Sequence, residues 1–173
     1  MYATFFTFER DNLLENTTDL DQRLRVRMIN IRKYMGRYIK NNPQYEHIRY
    51  CCHSTCRAFS KIMPELKVID GHYMGISREE SGDQVKIGHT FCDHSWLETP
   101  DGAIIDPCPI GVITWDVLLI PKKGDWLAYG NWNYIPDNDI TKRILNEELN
   151  QDTQAIYDLI IKAREKHQIY KNT

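Results

Sequence analysis

The 173-residue sequence has no apolar run near the roughly 18 residues of a membrane span. It has no internal repeat and no low-complexity tract, and no Pro- or Gly-rich stretch reads as a linker. It also has no excess of one charge. Twenty-two Lys and Arg against 24 Asp and Glu leave a formal charge of −2, which argues against a dedicated nucleic-acid binder, whose domain is usually strongly basic. Met1 to Phe6 lacks the basic start of a signal peptide, and Glu9, Arg10 and Asp11 interrupt it early. The expectation is a cytoplasmic protein with reduced thiols, no membrane partner and no cofactor. Finally, the five cysteines form no Cys-x-x-Cys pair, the spacing by which structural zinc is usually recognised.

What remains is a chain of one-domain length, 42% hydrophobic, long enough to close a core without staples. A single domain over residues 1–173 is expected. Leu20, Leu24, Met28, Ile31, Met35 and Ile39 recur every three or four positions and predict a long helix over 19–40. Asp19 reads as its N-cap with Gln22 as capping-box partner, and Asn41, Asn42 and Pro43 stop it. Arg23, Arg25, Arg27, Arg32, Lys33, Arg37 and Lys40 fill the rest of its surface, read as a solvated face.

Tyr50 to Ile62 predicts a second helix, ended by Pro64. Leu66 to Ile76 and Thr90 to Glu98 read as strands, with charged Arg78 to Lys86 as a loop between them. Thr99-Pro100-Asp101-Gly102 is a strong turn leading to a strand over 103–106. Val117 to Ile120 reads as a further strand, and Ala3 to Phe8 as a strand or a segment laid on the core. Ile140, Ile144, Leu145 and Leu149 mark one C-terminal helix; a second begins near Asp152, the pair spanning 139–170. Helices, then strands, then helices describe an α+β domain.

The centre of the chain carries a thiol, an imidazole and a carboxylate in order. Cys51 and Cys52 stand where the second helix would begin, where the helix dipole and free N–H groups favour thiolate. Cys51 is the rival nucleophile if the helix starts one residue earlier. His94 lies in His94-Ser95-Trp96-Leu97-Glu98, and Asp106 in Ile104-Ile105-Asp106-Pro107. If Thr99 and Ala103 close a three-residue loop, Asp106 falls opposite Trp96, on the His94 face and diagonal to it. From there a carboxylate can fix the imidazole tautomer, as triad chemistry needs. By the same two-residue period Glu98 and Trp96 share that face, as second carboxylate and cleft wall. Tyr50, Cys51 and His53 flank the thiol. His72 and His89 read as turn or strand-end residues, and Trp126 as packing.

These residues resemble the core of transglutaminase-like thiol proteins, within the wider papain-like superfamily. Cys52-His53 with Phe59, then His94-Ser95-Trp96-Leu97 and Asp101 to Pro107, are also similar to small bacterial and phage proteins of unassigned role. The resemblance covers Tyr50 to Pro109, about a third of the chain. It implies a nucleophile helix packed on an antiparallel sheet, with Cys52 as nucleophile, His94 as general base and Asp106 as orienting acid. It further implies acyl transfer on a peptide, protein or small amide, by hydrolysis or by amine transfer. The pattern departs from the family at Pro64, which shortens the helix, and at Cys108, where Thr is more usual. Two non-catalytic readings stand beside it. One is a zinc site of Cys52, Cys56, Cys92 and His94; the other is an idle relative that binds a partner through its cleft and basic helix.

Overall fold

The computed structural model describes residues 17–81, 84–109, 117–120 and 134–171, with backbone alone over 75–81, 84–90 and 169–171. The Ala3–Phe8 expectation and Trp126 lie outside the described residues. The first apolar stripe folds as predicted into helix α1, Asp19–Lys40, with Leu24, Met28, Ile31 and Met35 buried. Its N-cap is Thr18, one residue earlier than predicted. The Thr18 side chain accepts from the Asp21 N–H at 3.1 Å, and the Asp21 carboxylate accepts from the Thr18 N–H at 3.1 Å. Thr and Asp form this reciprocal box as readily as the expected Asp and Gln. The Thr18 hydroxyl also donates to Asp101 at 2.6 Å, tying the helix start to the distant turn. Helix α2, Cys52–Ile62, follows a short 3₁₀ turn at Pro43–Tyr45 and buries Cys56, Ala58, Phe59 and Ile62.

Among the described residues five strands form one antiparallel sheet: β1 Lys67–Ser81, β2 Gln84–Glu98, β3 Ile104–Asp106, β4 Leu118–Ile120 and β5 Tyr134–Pro136. The spatial order is β4-β3-β2-β1-β5. Of the predicted loop at Arg78 to Lys86, residues 78–81 and 84–86 are instead strand. Pairing runs unbroken from Lys67↔Glu98 to Ser81↔Gln84, leaving Gly82 and Asp83 between. Charged residues do not prevent pairing in a two-stranded ribbon, and Gly-Asp between alternating segments is itself a hairpin signal.

The β2–β3 turn closes as predicted. Thr99 N–H donates to the Ala103 carbonyl at 2.9 Å, and Gly102 adopts φ 82°, open to it for want of a Cβ. Leu97 then pairs with Ile105 and Glu98 with Ile104, the register that sets Asp106 diagonal to His94.

The C-terminal break falls earlier than predicted. Helix α3 is Asn138–Ile144 and α4 is Glu147–Lys171. Asn146 accepts from the Leu149 N–H at 2.7 Å, so Leu149 belongs to α4 and Leu145 is left exposed. A capping side chain, not the apolar spacing, decides where this helix starts. Helix α4 packs on α1 and α2, and α2 on β1 and β2. One core joins the α1, α2 and α4 stripes to Leu97, Ile105 and Leu119. A second gathers Tyr73, Trp96, Ile104, Leu118, Ile120 and Tyr134. Because strand neighbours point oppositely, both faces of the sheet are covered.

Candidate active site

Helix α2 begins with its thiols in distinct roles. Cys51 is the N-cap: its sulfur accepts from the Ser54 N–H at 3.4 Å, and Ser54 answers to the Cys51 N–H. Cys51 is therefore occupied in starting the helix, and Cys52 is its first residue. The first helical bond is Thr55 N–H to the Cys51 carbonyl at 3.0 Å, so the Cys52 and His53 amides precede the ladder. An N–H at this position can donate to an oxyanion formed beside the sulfur.

His94 and Asp106 meet as the register predicts. His94 Nε2 lies 2.7 Å from Asp106 Oδ2, and both side chains are fully buried. Asp106 also accepts from the Tyr134 hydroxyl at 2.9 Å and from the Cys108 N–H at 2.8 Å. With Nε2 given to Asp106, the other ring nitrogen is left for the thiol. Nδ1 is buried and carries no completed hydrogen bond among the described residues. Trp96 stacks along the imidazole at 6.4 Å between centroids, and Tyr73 meets its edge at 6.0 Å. Trp96 itself is buried.

The charges follow from this placement. Burial raises the Cys52 thiol, but His53 and His94 outweigh it and hold it lowered to about 6. Burial lowers His94, but Asp106 and Cys52 outweigh it and raise the imidazole to about 9. A thiolate beside an imidazolium is the state both shifts describe. Other thiols move the opposite way. Burial and the Asp106 charge push Cys108 up to about 12 and Cys56 well above its ordinary range.

His53, flanking the thiol in sequence, heads a second polar chain. Its Nδ1 lies 2.6 Å from Ser95 Oγ, and the Ser95 hydroxyl donates to Asp70. Asp70 receives both arms of the Arg57 guanidinium at 3.1 and 2.7 Å, and the Thr141 hydroxyl at 2.8 Å. Asp70, Arg57 and Thr141 escaped the sequence reading, as did the roles of Ser95 and Tyr134. The one available signal was Asp70 inside an apolar strand, where Asp is depleted and must find partners.

Other predicted residues lie further out. Tyr50 is half exposed beside the helix start. Glu98 ends β2 opposite Lys67 and, among the described residues, makes no hydrogen bond or ion pair with His94. A residue two positions beyond Trp96 on a twisted strand is too far along to reach the imidazole. His72 bridges Asp93 at 3.3 Å and Asp137 at 3.2 Å. The zinc set does not assemble: among the described residues no group of three or more His, Cys, Asp or Glu could hold a metal ion. Cys56 instead donates to the Ser95 carbonyl at 3.2 Å.

Comparison with protein-family models, curated proteins and solved structures finds no match for this chain.

Proposed function

We propose that the protein is a thiol-dependent acyl-transfer enzyme acting on amide bonds through a Cys52 thioester, in the manner of transglutaminase-like and papain-like proteins. The observation that carries the reading is the buried His94–Asp106 pair at 2.7 Å, with its free ring nitrogen left for a thiol lowered to about 6.

In this reading the Cys52 thiolate attacks the amide carbonyl, forming the C–S bond while the π pair moves to oxygen. The Cys52 N–H, at the positive end of α2, donates to that oxygen. Collapse breaks the C–N bond as His94 gives its Nδ1 proton to the departing amine. Asp106 accepts from Nε2–H throughout, which fixes the tautomer and stabilises the imidazolium. Water then releases an acid, or an amine makes a new amide; hydrolysis is the simpler default for a small domain.

The sign of the pH dependence follows from the two shifts. Thiolate is lost as pH falls through about 6, and imidazolium as pH rises through about 9. Activity on small amides and peptides should therefore be bell-shaped, with limbs near those values. Incubation with a peptide and small-amide panel, followed by intact mass, checks it. Turnover with an acyl adduct on Cys52, both lost in Cys52→Ala, is expected; turnover that survives Cys52→Ala overturns the reading.

A further inference from the structure

Helix α1 presents two faces at helical spacing. One is the core stripe of Leu24, Met28, Ile31 and Met35. The other, Asp19, Arg23, Val26 and Asn30, repeats every three or four residues and lines an open cleft of about 820 Å³. The last turns of α4 complete the lining with Arg164, His167 and Gln168. Tyr34 joins the two helices there, its ring stacked on that of His167 at 3.8 Å between centroids. The fold leaves several groups in this cleft unanswered. Val26 is 52% exposed, the one large exposed hydrophobic of α1. Arg25, Arg27 and Arg32 of the same helix each have a protein acceptor. Among the described residues the side chains of Arg23, Asn30 and Arg164 have none. His167 Nε2 is buried and likewise has no hydrogen-bond partner among the described residues. Arg23, Arg27 and Arg164 stand against Asp19 alone, a local excess of positive charge in a chain whose formal charge is −2.

We propose that the cleft between α1 and α4 docks an acidic amphipathic helix of a partner protein. Apolar side chains of that helix cover Val26 and Ile31, and its carboxylates meet Arg23 and Arg164. The choice of occupant follows from the lining. Three guanidinium groups call for anions, and an exposed Val beside a buried Ile calls for apolar surface. A helix laid along α1 satisfies both, because its own three- and four-residue ridges match the spacing of Arg23, Val26 and Asn30. Nucleic acid fits less well. Its phosphates favour cations without a carboxylate among them, and Asp19 stands in the lining. A small anion finds too little enclosure in an open cleft of this size. The inference is independent of the acyl-transfer reading, since the cleft shares no residue with the Cys52 group.

The test is fluorescence anisotropy of the full chain with labelled probes. These are helical peptides of about three turns with Leu on one face and Glu on the other, a twin with Lys for Glu, and single-stranded oligothymidylate. The Leu/Glu peptides are expected to bind saturably and less tightly as salt is added, and the other two probes not to bind. Arg23→Glu combined with Arg164→Glu should weaken that binding by about tenfold or more and admit the Leu/Lys twin. Val26→Asp should weaken it too. Arg23 and Val26 are exposed and Arg164 is half-buried, so the fold should survive, which far-UV circular dichroism checks. A photo-crosslinking benzophenone amino acid in place of Val26 identifies the occupant. Crosslinking to the added Leu/Glu peptide supports the proposal. Crosslinking to residues 1–16 or to a second copy gives the cleft to the chain itself and overturns it. Failure of every Leu/Glu peptide to bind, binding unmoved by the charge reversal, or preference for oligothymidylate overturns it as well.

Discussion

Asp106 is the residue on which the candidate site converges, because it takes hydrogen bonds from His94, Tyr134 and the Cys108 amide at once. Asp106→Asn keeps the shape but reverses one acceptor, so the imidazole is held in the wrong tautomer. Turnover is expected to fall about 10⁴-fold, with far-UV circular dichroism unchanged; a loss under tenfold would remove Asp106 from the mechanism. Tyr134→Phe deletes one of three donors and should cost far less, about tenfold, in the same assay. The meeting of His94 and Asp106 was legible in the sequence because a turn with Pro and Gly fixes its own register, and register decides which side chains meet. Tyr134 was not. It arrives from 28 residues beyond Asp106, on a three-residue strand whose pairing with β1 no local pattern announces.

Among the elements, β5 can lie against β1 only because residue 71 has no side chain. A Cβ there would stand 2.0 Å from the Ile135 carbonyl oxygen and 2.8 Å from the Trp96 ring. The ring can tilt but the carbonyl belongs to the ladder. Gly71→Ala should therefore destabilise by about 1–3 kcal/mol, read as a lowered urea midpoint; an unchanged midpoint would mean that β5 does not sit there. The start of α4 rests on Asn146, and Asn146→Ala should cost about 1 kcal/mol in the same measurement. Long amphipathic helices such as α1 were legible because their apolar period is local. The ends of α1 and α4 were less so, since Thr18 and Asn146 act through single hydrogen bonds that composition barely marks. The long β1–β2 ribbon was not legible because its charged middle and Gly82 carry the same local marks as a loop.

At the scale of the molecule, two buried or half-buried ion systems hold elements together that hydrophobic packing alone would leave free to slide. Part of the basic surface of α1 is turned inward: Arg25 donates to the Val117 carbonyl at 3.0 Å and Arg32 to that of Pro107, while Arg27 reaches Glu65 at 3.2 Å on the exposed side. The sequence showed these cations but not their acceptors, which are mostly backbone carbonyls. An open cleft of about 820 Å³ takes Arg23 and Arg164 instead and shares no residue with the Cys52 group. No helix among the described residues is long and apolar enough to cross a membrane.

Asp70 ties α2, β2 and α3 to β1 through Arg57, Ser95 and Thr141. Burial raises its carboxyl, and those three partners outweigh it and hold it below the ordinary 3.8. The stability it contributes is thus present above 3.8 and lost as pH falls past the lowered value. Asp70→Asn should cost about 3 kcal/mol near neutrality, and the gap from wild type should narrow in acid; a gap independent of pH would contradict the pairing.

Cys52 is held as a thiolate by His53 and His94, and site-resolved alkylation with iodoacetamide from pH 5 to 10 tests this most directly. Cys52 is expected to react with a midpoint near 6, with Cys56 and Cys108 protected, and His94→Ala should move that midpoint upward. A Cys52 midpoint near the free-thiol value of about 8.5, unmoved by His94→Ala, would contradict it.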